Sequence, residues 1–338
     1  MNRRNSGGIV STMRILITGI TGFVGSHLAE YLLSEQPLAE VHGLKRWRSP
    51  LDNIENILSS VKLWDGDLRD PKSLIKVMNA IKPDIVYHLA AQSYVPTSFD
   101  APTDTIATNV IGTINLLEAI RFAGIDPIIH ICSSSEVYGQ VGPDEIPITE
   151  NTPLRPASPY AVSKVGEDMI GYQYHVTYGM RTIRTRMFTH TGPRRGEVFV
   201  VSAFAKQIAQ IELGLQEPVV HVGNLDSVRT FADVRDTVRA YWLLTQKCTP
   251  GEVYNIGGNR TMTVGEMLKM LLKASTHADI KVEVDPALLR PSDVTLQIPA
   301  IDKFVAATGW KPEIPFEQTL QDTLDYWRRR LHRMARDA

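Results

Sequence analysis

The stretch that most constrains this chain is "ILITGITGFVGSHLAEYLL", residues 15–33. An apolar run meets glycines at 19, 22 and 25, and a helix-period segment follows. Glycines there let backbone N–H groups approach an anion at the positive end of a helix. A strand, such a turn and a helix open a βαβ series, and the matching anion is the pyrophosphate of a dinucleotide. Gly19, Thr21, Gly22, Phe23, Val24 and Gly25 are therefore candidate cofactor contacts. The spacing is Gly-x-x-Gly-x-x-Gly rather than the commoner Gly-x-Gly-x-x-Gly.

The same rhythm continues. Apolar runs at 15–18, 41–44, 61–64, 85–89, 128–132 and 182–187 read as strands. Helix-period segments at 25–33, 71–81 and 107–122 lie between them. Continuous apolar strands interleaved with amphipathic helices predict an α/β fold, a Rossmann-type doubly wound parallel sheet covered on both faces. Beyond residue 190 the pattern loosens, with short runs at 219–222, 253–256 and 282–284 and helical segments at 202–213, 233–244 and 264–274. The expected organisation is a flexible leader (1–12), a nucleotide-binding domain (13–188) and a smaller mixed α/β lobe for the substrate (189–338). Segments near 233–257 are expected to return to the first domain.

Composition excludes several classes. With a net charge of −1, the chain has no basic field for nucleic acid or an anionic membrane. No apolar stretch approaches the ~20 residues that cross a bilayer. Cys132 and Cys248 form neither a metal motif nor a disulfide framework, so a reducing cytoplasm is expected. His88, His130 and His190 lack metal-ligand spacing, and no metal site is predicted.

The second strand ends in "VHGLKRWRSP", where an NAD ribose would call for a carboxylate. Lys45 and Arg46 stand there instead, and their cations suit a 2′-phosphate, so NADP rather than NAD is expected. Asp67 and Leu68 close the third strand, with Asp67 placed to meet the adenine. Leu89, Ala90 and Ala91 close the fourth.

"PASPYAVSK" sets Tyr160 and Lys164 four residues apart, behind Ser158 as N-cap and Pro159 as first helical residue. Both side chains then share one helix face, with Cβ atoms ~6 Å apart. A neighbouring ammonium lowers a phenol's pKa, so Tyr160 is expected to exchange protons with a sugar hydroxyl or carbonyl.

These pieces, with "HLAAQS", "TNVIGTINLLEA", "SSSEVYG", "GNLDSVRTFADVRD", "EVYNIGG", "LRPSDV" and "TGWKPEIPFEQTL", resemble the extended short-chain dehydrogenase/reductase family from Met13 onward. Within it the chain is most similar to the GDP-mannose branch, which holds 4,6-dehydratases and 4-keto-6-deoxymannose reductases. The resemblance implies a GDP-linked nucleotide-sugar substrate and a homodimer or homotetramer built on paired helices. It adds Ser134 to the catalytic set beside Tyr160 and Lys164. Ser93, Ser135, Arg194, Val200, Asn224, Arg229, Arg290 and Asp293 become substrate contacts, with Arg229 on the pyrophosphate.

Glu136 separates the readings. A dehydratase must remove the C5 proton of a 4-keto sugar, and a carboxylate two residues beyond Ser134 suits that task. The bland alternative is a carboxylate capping a turn. Phe23-Val24 replaces the dehydratases' usual Gln-Asp, Thr189 replaces their asparagine, and a lysine usual near Ala203 is absent; these departures lean towards the reductase. The leading expectation is an NADP-dependent GDP-mannose 4,6-dehydratase, against a 4-keto reductase or related epimerase, and against a non-catalytic NADP-sensing regulator on the same fold.

Overall fold

A computed structural model describes residues 12–289 and 294–337. The expected leader, apart from residue 12, and the expected contacts Arg290 and Asp293 lie outside the described residues.

The first half runs β1 (Arg14–Thr18), α1 (Phe23–Glu35), β2 (Glu40–Lys45), β3 (Lys62–Asp65), α2 (Pro71–Ile81) and β4 (Ile85–His88). It continues through α3 (Val95–Asp100), α4 (Pro102–Ile106), α5 (Gly112–Phe122), β5 (Ile128–Ser134), α6 (Pro159–Tyr178) and β6 (Arg181–Met187). The second half begins with β7 (His190–Thr191), α7 (Val200–Glu212), β8 (Val219–Val222), β9 (Val228–Asp233), α8 (Val234–Lys247) and β10 (Val253–Ile256). It closes with β11 (Arg260–Thr263), α9 (Val264–Lys273), β12 (Lys281–Val284), β13 (Leu296–Gln297), α10 (Asp302–Thr308) and α11 (Phe316–Asp337).

The main sheet has seven strands in the order β3-β2-β1-β4-β5-β6-β10, all parallel. Ile15, Leu16 and Ile17 of β1 are fully buried because helices cover both faces. On one face α1 and α8 pack Leu28, Leu32, Val238 and Tyr241; on the other α2 and α5 pack Leu74, Val77, Leu116 and Ile120. Strand order reverses between β1 and β4, so a crevice opens at their carboxyl ends, where nucleotides bind in such folds.

Local chemistry sets the helix ends. Asp70 accepts a bond from the Lys72 N–H and starts α2 with Pro71 in its first turn. Ser158 does the same for α6 through the Ala161 N–H, and Gly179 ends that helix at φ 68°.

The segment expected as one helix over 107–122 differs. Its first turn, Ala107–Ile111, is π-helical, and α5 starts only at Gly112. The cause is Asn109, fully buried, whose amide accepts from the Gln92 N–H and donates to the Gln92 carbonyl and the Ser163 hydroxyl. Tertiary bonds of that kind widen a local turn.

The smaller lobe builds around β9, which pairs antiparallel with β11 and parallel with β13 and β7. Phe204, Ile208, Leu268, Leu324 and Trp327 of α7, α9 and α11 form its core. Strand β10 and helix α8 lie with the main sheet, not with this lobe. Among the described residues no helix is long and apolar enough to cross a membrane.

Candidate active site

The crevice is a cleft of about 580 Å³. Gly19, Thr21, Gly22, Phe23 and Val24 line it from the first turn, Leu44, Lys45 and Arg46 from the end of β2, and Asp67 and Leu68 from beyond β3. Leu89, Ala90, Ala91 and Ser93 follow β4, and Ser134, Tyr160 and Lys164 close the far end. The fold thus gathers in one place residues spread over 146 positions, from 19 to 164.

The glycine turn has the geometry an anion needs. Gly19 adopts φ +72°, a region that suits only glycine without strain, and its Cα side faces the Ala90 backbone. Gly25 does not line the cleft; a Cβ there would sit 2.3 Å from the Gly19 carbonyl oxygen, so glycine lets α1 seat against the turn. Helix α1 starts with no side-chain cap and no acidic residue in its first turn. Its unsatisfied N–H groups and positive dipole end face the cleft, which fits a pyrophosphate.

At the adenosine end the cations differ in availability. Lys45 holds Asp65 through a 2.6 Å bond, whereas Arg46 has no ion-pair partner among the described residues. Asp67 is itself engaged: its carboxylate accepts from the Arg69 N–H and Nε. Burial raises the Asp67 pKa, but these bonds outweigh it and hold the carboxyl below its ordinary range.

At the reacting end Tyr160 is 8% exposed and Lys164 5%. The Ser134 hydroxyl, at the end of β5, accepts from the Glu136 N–H at 3.2 Å and caps the short 3₁₀ turn Ser135–Tyr138. The Lys164 ammonium lies 5.9 Å from the centre of the Tyr160 ring. The depressed phenol expected from the sequence is corrected here. Burial raises the Tyr160 pKa, and the pull of Lys164 and Ser134 does not fully offset it. The reason is visible in the lysine, which donates to the Cys132 carbonyl at 2.9 Å and to both carboxylate oxygens of Glu167 at 3.0 and 2.9 Å.

Several residues expected at the substrate do not line this cleft. Arg194 sits at φ 70° and turns its guanidinium away, onto Glu30, the Asn53 carbonyl and His27 of the α1 side. It fastens a loop rather than lining the cleft. Ser135 is buried against the Gln297 side-chain oxygen, and Val200 begins α7. Asn224 accepts from the Asp226 N–H, and Arg229 on β9 donates to the Val228 carbonyl. None of these, nor Glu136, lines the described cleft.

Among the lining residues that the sequence reading did not assign to the site are His190 and Arg195. The Arg195 guanidinium lies 3.6 Å from the Phe199 ring centre and 5.0 Å from that of Phe23, which also stacks on His190. Burial pushes the Arg195 pKa down to about 10, and no carboxylate among the described residues answers its charge. A cation held only by ring faces is a waiting partner for an anionic or carbonyl group. The signal was the second arginine of "GPRRG", beside an aromatic at 199. Phe23, where dehydratases carry glutamine, is one wall of this cage.

His88 is a packing group: it bonds the Thr18 and Thr113 hydroxyls, and burial lowers its pKa to about 3. No cluster of metal-ligating side chains occurs among the described residues.

The profile of the family described as GDP-mannose 4,6 dehydratase matches residues 16–323. The GDP-mannose 4,6-dehydratase of Yersinia enterocolitica is 36% identical, the match covering 90% of this chain and 91% of that protein. The GDP-6-deoxy-D-mannose reductase of Pseudomonas aeruginosa is 34% identical over 95% of this chain and 99% of its own length. Among solved structures, RMD of Pseudomonas aeruginosa in complex with NADPH superposes with a TM-score of 0.82 at 33% identity, covering 94% of this chain and all of that one. The dTDP-glucose 4,6-dehydratase DesIV of Streptomyces venezuelae, with NAD bound, gives a TM-score of 0.83 at 28% identity, covering 94% of this chain and 97% of its own. On these matches, over a cleft of this form, the chain belongs to the GDP-mannose 4,6-dehydratase family of extended short-chain dehydrogenases/reductases.

Proposed function

We propose that this protein is an NADP-dependent lyase that converts GDP-mannose to GDP-4-keto-6-deoxymannose. The observation that carries the reading is the end of β5, where the Ser134 hydroxyl lies within hydrogen-bond reach of Tyr160 and Glu136 stands two residues further along the same turn. The uncapped α1 terminus and Arg46 would hold NADP, which when bound would supply a reversible hydride acceptor for the C4 and C6 chemistry. Tyr160 accepts the O4 proton, and Ser134 fixes that oxygen. The resulting ketone acidifies the C5 proton. Glu136 removes it and passes it to the C6 hydroxyl, which leaves as water; when C6 regains the hydride, Tyr160 gives its proton to C5. Ser93, Ser135, Arg194, Val200, Asn224, Arg229, Arg290 and Asp293 were the substrate contacts expected from the sequence; of these Ser93 lines the cleft, and Arg229 on β9 is kept as a pyrophosphate contact from the second lobe. We place Arg195 there with them.

Incubation with GDP-mannose and no added NADPH tests this. A 6-deoxy-4-keto product is expected. Glu136→Gln should cut dehydration at least ~100-fold while leaving exchange of the C4 hydride. Normal dehydration by that variant would remove Glu136 from the mechanism.

The second reading, a GDP-4-keto-6-deoxymannose 4-reductase, is favoured by one observation: the match to the Pseudomonas aeruginosa reductase spans 99% of that protein. It expects no turnover of GDP-mannose and stoichiometric NADPH oxidation with the keto sugar. A purely NADP-sensing role is disfavoured by the complete Ser134, Tyr160 and Lys164 set in the cleft. Two unpaired thiols suit a reducing cytoplasm. Exposed Val162, Met169, Tyr172 and Val176 stripe α6 at helical spacing, which supports a homodimer through that helix.

A further inference from the structure

Lys164 has three N–H groups, and in this structure all three are taken. Two go to the carboxylate oxygens of Glu167 and one to the Cys132 carbonyl. The pair is deeply buried, with side-chain exposures of 6% and 1%. Glu167 follows Lys164 by three positions, so one helical turn stacks the two side chains on the inner face of α6. Tyr160 lies on the same face, and its phenol feels the Lys164 ammonium and the Glu167 carboxyl with opposite sign. One fixed cation therefore stands between two acids that compete to neutralise it.

We propose that Glu167 is a positioning residue that sets the acidity of Tyr160 by controlling how much of the Lys164 charge reaches the phenol. When Glu167 is ionised it claims the ammonium, and the phenol keeps its proton. When Glu167 is protonated, or when a ligand draws Lys164 away from it, the uncompensated ammonium favours the phenolate. The proposal adds a residue to the hydride-transfer chemistry and rests on the reading that Tyr160 is the proton carrier.

The surroundings leave this role to Glu167. Lys164 is held protonated: burial disfavours its charge, but Glu167, Tyr160 and Cys132 outweigh that. Burial raises the Glu167 carboxyl to about 7 against the attraction of Lys164, with Asp168 adding to the rise. Asp168 on α6 is itself tied to Arg184 and Arg186 of β6 at 2.7 Å each. From β4 and β5, His88 and His130 are kept neutral by burial, with pKa values of about 3. Cys132 and, from α8, Tyr241 are pushed up by burial and stay protonated. Arg195, across the cleft, keeps its charge near neutrality. Glu167 is thus the carboxyl in direct contact with Lys164 that burial brings to about 7.

The test is a ¹³Cζ-tyrosine NMR titration of the full-length protein loaded with NADP, with the Tyr160 signal identified by its loss in Tyr160→Phe. In Glu167→Gln the Tyr160 midpoint should fall by about one pH unit, the size expected for deleting one nearby buried charge. With GDP-mannose, or with the keto sugar and NADPH, the acidic limb of kcat/KM should move down in step. A role confined to packing would lower activity or stability without moving either midpoint, and an unmoved Tyr160 midpoint overturns the proposal. If neither substrate turns over, the assigned reaction fails while the NMR shift still decides this point. Should Glu167→Gln not fold, infrared difference spectra of the parent protein take its place. Between about pH 6 and pH 8 they should show a buried protonated carboxyl losing its proton, and its absence overturns the proposal.

Discussion

Arg46 and Arg195 both line the cleft, and neither is in a direct ion pair among the described residues. Such cations contribute to binding because no internal ion pair must first be broken. Arg46→Ala should weaken NADP by ~10-fold or more, the range of one charge-assisted bond, and leave NAD nearly unaffected. Fluorescence titration with both dinucleotides checks this, and an equal loss for NAD would move the 2′-phosphate elsewhere. At this scale the sequence was legible where residue type alone decides. Tyr160 and Lys164 share a helix face, as their spacing predicted, and line one cleft with the glycine turn and with Ser134, which the family resemblance had added. It was illegible where backbone geometry decides: of two adjacent arginines, the positive φ of Arg194 sends its side chain to Glu30 and leaves Arg195 to face the cleft. Glu167 was hidden too, because a lysine and a glutamate three apart look like an ordinary surface pair.

Helices and strands were recovered from periodicity because the parallel sheet buries apolar runs on both faces. The π turn over Ala107–Ile111 was not, since it depends on bonds from Asn109 to residues far along the chain. The charged end of α11 also reads differently in place. "YWRRRLHRM" suggests a solvated tail, yet Arg328 clamps Glu212 of α7 through two 2.7 Å bonds. Burial raises the Glu212 pKa, but Arg328, the Thr276 N–H and the Ser275 hydroxyl reverse that and hold it at about 2. A folded pKa below the ordinary 4.5 means the carboxylate stabilises the fold above that pH and loses the contribution as pH falls towards 2. Glu212→Gln should therefore cost ~2–3 kcal/mol at pH 7. Urea titrations should show the gap to the parent protein closing below about pH 4.5.

For the whole molecule, the apolar stripe on α6 is the largest question of assembly. Val162 is 47% and Val176 64% exposed, on the helix that also carries Tyr160. Met169→Glu with Val176→Glu should convert the proposed dimer to a monomer in sedimentation analysis. An unchanged mass would place any interface elsewhere. The fold class was readable from the first glycine turn and the strand–helix rhythm, and so was the expectation that segments near 233–257 return to the first domain; the order in which the strands pair was not, because strand order is a property of the closed chain. β10 lies beside β6 at the edge of the main sheet, although the chain reaches it only after building β7, β8, β9 and α8. A fragment cut after β6 would lose that edge strand, together with Val238 and Tyr241 from beneath the sheet. Exchanging the second half for another by simple end-to-end splicing would thus dismantle the main sheet; variation on this scaffold must come from replaced loops, not swapped modules.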